Sequence, residues 1–133
     1  MSTNGFRRSS GIKNYKDLIV WQKSRELVYH IYLLTQKLPD NELYSLINQI
    51  RRAAISIPSN IAEGYSRGAD KEFIYFLRIA KGSAAELETQ LILCQDLNYL
   101  SKEETKKAMR LNDEVIRMLG TLILKIGKDN REE

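Results

Sequence analysis

The stretch from Gln49 to Gly68, QIRRAAISIPSNIAEGYSRG, decides how the rest of the chain is read. Within it and just before it, Leu43, Ile47, Ile50, Ala54, Ile57 and Ile61 recur at spacings of 4, 3, 4, 3 and 4. That is the period of one buried helix face. Pro58 lies inside the pattern, yet the phase is unbroken across it. A proline there removes one main-chain donor and crowds the carbonyl four residues back, that of Ala54, at a cost of about 3 kcal/mol. The unbroken phase predicts a single kinked helix over about 41–63; a break with a new short helix from Pro58 is the alternative. Ser56, Ser59 and Asn60 offer polar atoms around the freed carbonyl. Gly64 is expected to end the helix in the left-handed conformation.

Three more periodic segments extend outward from this one. Upstream, Trp21, Ser24, Val28, Ile31, Thr35 and Leu38, flanked by Val20, Leu27 and Leu34, predict a helix over about 17–37, with Asp17 in its first turn or cap. Pro39 ends it, and Asp40 or Asn41 caps the next. Downstream, Phe73, Phe76, Leu77, Ala80, Ala84, Leu87, Leu91, Cys94 and Leu97 predict a helix over about 71–97, capped by Asp70 and ended by Asn98. Its middle, Ala80-Lys81-Gly82-Ser83-Ala84-Ala85, is rich in small residues. Gly82 costs about 1 kcal/mol against alanine, which a close helix approach would offset. Ser101-Lys102-Glu103-Glu104 is a capping-box sequence, opening a helix over about 102–126 that carries Ala108, Leu111, Val115, Met118, Leu119, Leu122 and Ile126. Gly127 is expected to stop it. Four helices joined by short loops, with no competing strand alternation, predict an all-α, antiparallel up-down-up-down four-helix bundle over 17–127.

A chain of 133 residues fits one domain. The net charge of +4 resides in residues 1–16, which hold Arg7, Arg8, Lys13 and Lys16 and no acid. These residues read as a flexible basic tail, and 128–133 as a charged C-terminal one. Such an arm suits phosphate or an acidic partner, or simply solubilises the chain. Cys94 is the sole cysteine, so no intrachain disulfide forms. A thiol nucleophile needs a base, and His30 is the sole histidine. The N-terminus has no apolar signal-like region, and the apolar run Met118–Leu124 is too short to span a bilayer. The expected location is cytoplasmic.

A polar stripe runs beside the apolar one: Gln49, Arg52, Ser56, Asn60 and Glu63, with Ser83, Glu86 and Gln90 on the following helix. Polar groups buried between helices must be paired, so the stripe reads as an interhelical network, for example Arg52 with Glu86, that sets helix register. A di-metal bundle site would need two Glu-x-x-His motifs, and Gly64–Gly68 does not match a P-loop. No catalytic, cofactor or metal set emerges, and a non-enzyme is expected. The candidate anion or nucleic-acid contacts are Arg7, Arg8 and Lys13 in the arm, with Arg51, Arg67 and Lys71 on the bundle.

Gln49-Ile50-Arg51-Arg52-Ala53 and Ser56-Ile57-Pro58-Ser59-Asn60-Ile61-Ala62-Glu63-Gly64 resemble the signature of the bacterial four-helix-bundle proteins, also called 23S rRNA-intervening-sequence proteins. Leu18-Ile19-Val20-Trp21-Gln22, Phe73–Ser83 and Glu86–Leu91 fit the same pattern, so the resemblance covers about 15–126. It implies a bundle that assembles as a ring-like homopentamer, with no catalytic residues to carry over. Some relatives are encoded within ribosomal RNA genes, and a related group serves diversity-generating retroelements as an accessory protein. The resemblance therefore implies an RNA- or nucleoprotein-binding accessory or scaffold; the alternative is a purely structural or protein-interaction module. The charge balance over 17–133, 17 basic against 17 acidic residues, departs from the strongly basic surface of a retroelement-type binder.

Overall fold

The computed structural model describes residues 5–131; the side chains of Arg7, Arg8, Ser9, Asn130 and Arg131 lie outside that description. Four long helices carry the fold: α2 (Ile19–Thr35), α3 (Asn48–Ser66), α4 (Asp70–Asp96) and α5 (Lys102–Arg131), preceded by a short helix α1 (Gly5–Ser10). Among the described residues there is no strand. Consecutive long helices pack as neighbours, and α2 meets α5 to close the bundle. The turns between α3 and α4 and between α4 and α5 are too short for anything but a reversal of direction. No helix among the described residues is long and apolar enough to cross a membrane.

The expected apolar stripes build the core. Leu27, Ile31, Ile50, Ile57, Ile61, Leu77, Leu87, Leu91, Val115, Leu119 and Ile126 are fully buried. Helix α3 passes through Pro58 without a break, because Ile57 and Ile61 on either side are both anchored in that core. Asn60 donates from Nδ2 to the Ser56 carbonyl and to Ser56 Oγ, each at 2.8 Å. Its amide thus serves the Ser56 carbonyl and not the one freed at Ala54. The start of this helix is less regular than expected: a 3-10 turn at Asp40–Glu42 and a π turn at Leu43–Ile47 lead into α3. Leu43 consequently stays 44% exposed.

The glycines differ most from the sequence reading. Helix α3 does not end at Gly64; it runs to Ser66, and Gly68 (φ 94°) supplies the left-handed residue beyond it. Gly64 is buried, and a Cβ there would lie 2.6 Å from the Phe76 Cβ and 3.2 Å from Phe73 Cδ1. Its role is to let α4 approach closely. That role was expected of Gly82, which is exposed and has nothing within 4 Å of a built Cβ. The small residues α4 does bury are Ala80 and Ala84. Gly127 does not stop α5 either, since burial of Ile126 and packing of α1 on α5 carry the helix to Arg131.

Two caps follow the sequence reading. Asn98 adopts φ 62° after α4, and the Tyr99 and Leu100 amides donate back to the Cys94 carbonyl at 2.9 and 3.2 Å. At α5 the Ser101 amide donates to Glu104 Oε1 at 2.9 Å, and the Glu104 amide donates to Ser101 Oγ at 3.0 Å. That reciprocal pair is a capping box. The Ser101 amide and then Lys37, 3.2 Å away, hold the Glu104 carboxyl below its ordinary range. Asp70, by contrast, is not the cap of α4; that position belongs to Ala69.

The segment expected to be a tail is built into the fold from Gly5 to Asp17. Phe6 is buried, with its ring centroid 5.9 Å from that of Phe73, and its amide donates to Asp70 Oδ2 at 3.0 Å. Tyr65 donates from its hydroxyl to the Ile12 carbonyl at 2.9 Å. Asn14 then caps a 3-10 turn at Tyr15–Asp17 that leads into α2. An aromatic side chain amid polar and basic residues gains enough by burial to dock the segment.

Replacing Gly64 with alanine is expected to destabilise the fold by about 1–3 kcal/mol through overpacking, read from urea unfolding; an unchanged midpoint would contradict the close approach. Because the folded Glu104 pKa is lowered, its carboxylate stabilises the fold above the ordinary carboxylate range, and that contribution is lost as pH falls through the folded value. The stability difference between wild type and Glu104→Ala should therefore shrink between neutral pH and pH 3.

Candidate functional site

The basic residues singled out on the bundle are largely engaged. Arg51 donates from Nε to Thr35 Oγ1 at 2.9 Å, and its guanidinium lies 4.3 Å from the Tyr32 ring centroid. It clamps α3 to α2, since a stacked guanidinium favours one orientation. Arg67 lies 2.8 Å from Glu63, 3.8 Å from Glu72 and 5.0 Å from the Phe76 ring centroid. Its charge is thus balanced by two carboxylates. Lys71 and Lys13 are exposed and make no ion pair among the described residues. Arg7 and Arg8 have side chains outside the described set. These residues do not form one cationic patch.

A different cationic surface is present on α5. Lys102, Lys106 and Arg110 follow one another at i, i+4 and i+8, with Lys107 alongside, and all four are exposed. None of them enters an ion pair among the described residues, whereas Arg117 is 3.2 Å from Asp113 and Lys23 of α2 is 3.4 Å from Glu114. Lys107 and Arg110 border a groove of about 270 Å³ between α2 and α5, which Lys23, Arg117, Glu26 and Glu114 also line. Sequence reasoning missed this surface because Glu103, Glu104, Asp113 and Glu114 balance it on paper. The structure assigns most of those acids elsewhere: Glu104 to Ser101 and Lys37, Asp113 to Arg117, Glu114 to Lys23. Lysines in the first turns of a helix gain nothing from its macrodipole, whose positive end is there.

The polar stripe of α3 and α4 resolves into two parts. Ser56 and Ser83 share a hydrogen bond of 2.8 Å across the two helices, with Asn60 joined to Ser56. This is an interhelical link of the kind expected. Glu63 leaves the stripe to pair with Arg67. Gln49, Arg52 and Glu86 line an open groove of about 570 Å³ together with Ser56, Ser83 and Gln90. Arg52 and Glu86 are both exposed, and no ion pair among the described residues joins them, so the expected Arg52–Glu86 bridge does not form.

Cys94 is fully buried, and burial pushes its thiol up to about 11. A thiol so protonated at neutral pH is a poor nucleophile. Glu42 accepts from the Ser45 and Tyr99 hydroxyls; the Ser45 bond first and then the Tyr99 bond lower the Glu42 pKa, and donation to Glu42 raises that of Tyr99. Among the described residues no three His, Cys, Asp or Glu side chains cluster as metal ligands.

Comparison with known proteins agrees with the fold. The crystal structure of a protein of unknown function from the S23 ribosomal protein family of Bacteroides thetaiotaomicron is similar, with a TM-score of 0.74 and 28% identity. The match covers 79% of this chain and 98% of that one. No curated protein sequence matches the chain. The model of the 23S rRNA-intervening sequence proteins matches residues 16–121, a span that includes all of α2, α3 and α4, most of α5 and both polar surfaces. The chain therefore belongs to the 23S rRNA-intervening sequence protein family.

Proposed function

We propose that this chain is a non-enzymatic, self-assembling helical bundle that serves as an RNA- or nucleoprotein-binding accessory protein in the bacterial cytoplasm. The observation that carries the reading is the row Lys102, Lys106, Lys107 and Arg110 on α5, exposed and free of ion pairs among the described residues. Four phosphates bound there would release their counterions and make affinity steeply salt-dependent. Glu103 is the one carboxylate within this row that enters no described ion pair, so the local balance is cationic. Lys13 is a further exposed cation, on the docked N-terminal segment and apart from this row.

Assembly has its own support. Ile79, Ile92 and Leu93 of α4, Leu97 just beyond it and Leu124 of α5 are large apolar side chains left at least 36% exposed. Their cover by neighbouring copies would supply a homo-oligomer with apolar contact area. A pentameric ring is the assembly implied by the family resemblance. The same exposed side chains favour the second reading, a protein-interaction module with no nucleic-acid role.

Binding of a structured RNA, followed against salt, separates the two. The expected slope of log affinity against log salt is about −3 to −4 for four phosphate contacts, reduced by roughly half in Lys106→Glu/Arg110→Glu. No affinity at low salt, or affinity untouched by the charge reversal, would refute the α5 reading. Solution mass should correspond to a homopentamer; a monomer at micromolar concentration would refute the assembly.

A further inference from the structure

The groove between α3 and α4 is not used by the α5 reading. It lies on the opposite side of the bundle, since α3–α4 and α2–α5 are opposite pairs in the ring of helix contacts. Its lining is chemically specific. Arg52 offers a guanidinium and Glu86 a carboxylate; both are exposed, and neither makes a hydrogen bond or ion pair among the described residues. Gln90 also lines the groove; it is 6% exposed, and its Oε1 is buried without a hydrogen-bond partner. A buried carbonyl left without a donor is costly, so an arriving donor has something to gain. Ala53, 3% exposed, adds a small apolar side chain to the lining. At the rim, Tyr44 is 91% exposed and makes no ring contact among the described residues.

We infer that this groove is a binding site for an unpaired guanine base. A guanine presents an N2 amine and an N1–H, two adjacent donors, beside the O6 acceptor. A carboxylate with a neighbouring amide carbonyl accepts from the first two, and a guanidinium donates to the third. Glu86, Gln90 and Arg52, which carry those groups, all line the one groove. Unpaired bases are held this way in single strands, by hydrogen bonds to their edges and by stacking on an aromatic ring. Tyr44 is the ring placed to stack. Adenine fits poorly, because its amine and ring nitrogen reverse the donor and acceptor that Glu86 and Arg52 require. The wide groove, about 570 Å³ and open to solvent, admits either a free nucleotide or a base splayed from an RNA strand.

The inference extends the RNA-binding reading to a base-recognising surface, but it is tested separately. Titration of the full-length protein with guanosine, inosine and adenosine monophosphates reads the groove without any variant. Guanosine monophosphate should bind about tenfold more tightly than inosine monophosphate, which lacks the N2 amine, and adenosine monophosphate more weakly still. Glu86→Gln should remove that preference while leaving the thermal midpoint unchanged, because Glu86 is exposed and unpaired. An oligouridine carrying one central guanosine, bound more tightly than the free nucleotide, assigns the site to RNA; the reverse order assigns it to the nucleotide itself. Equal binding of the three nucleotides, no binding of any, or a guanine preference that survives Glu86→Gln would overturn the inference. Lys106→Glu/Arg110→Glu should not alter the preference, so failure of the α5 reading and failure of this one are distinguishable.

Discussion

The close approach of α3 to α4 at Gly64 is the constraint on which the rest of this structure depends. A missing side chain at one position lets Phe73 and Phe76 sit against the α3 backbone. From that contact other features follow in space. Phe73 also meets the rings of Phe6 and Tyr65, at 5.9 and 5.6 Å between centroids, so the aromatic cluster ties the N-terminal segment to the α3–α4 turn. Arg67 stacks over Phe76 while bridging Glu63 and Glu72, which closes the turn electrostatically. Farther along the same pair of helices, Ser56 and Ser83 meet at 2.8 Å. The groove lined by Arg52, Glu86 and Gln90 begins there, so the helix pairing that fills one end leaves the other end open.

Charge is distributed by pairing more than by count. Arg51 and Arg67 stand out in the sequence because they sit in the most distinctive stretch, yet both are engaged with neighbouring helices or carboxylates. The α5 lysines sit in a segment that looks neutral by composition and becomes cationic once its acids are assigned to caps and ion pairs. Exposed ion pairs contribute little to stability. Their consequence here is to decide which charges remain for a partner.

Much of the fold was legible in the residues. The apolar phase of α3 through Pro58, the Ser101–Glu104 capping box and the Asn98 terminator all depend on local geometry, and local geometry is what spacing encodes. Close approach falls at Gly64 and not at Gly82, and the sequence does not reveal which, because a glycine in a helix is silent about its surroundings: only the neighbouring helix shows whether a Cβ would fit. The position of Asp70 suggests a cap, whereas its Oδ2 accepts the amide of Phe6, 64 residues away. The partner of a polar group across the bundle has no local signature, and the same reason explains why Arg52 and Glu86 were expected to pair.

By itself the sequence determined the all-α class, the number of long helices, most core positions within those helices and the family, because each rests on periodicity or on contiguous motifs. The tertiary structure alone decided where close packing occurs, which charges are neutralised, and that the N-terminal segment docks through Phe6. Those depend on pairs of residues distant in the chain, and distance along the chain carries no record of which two side chains will meet.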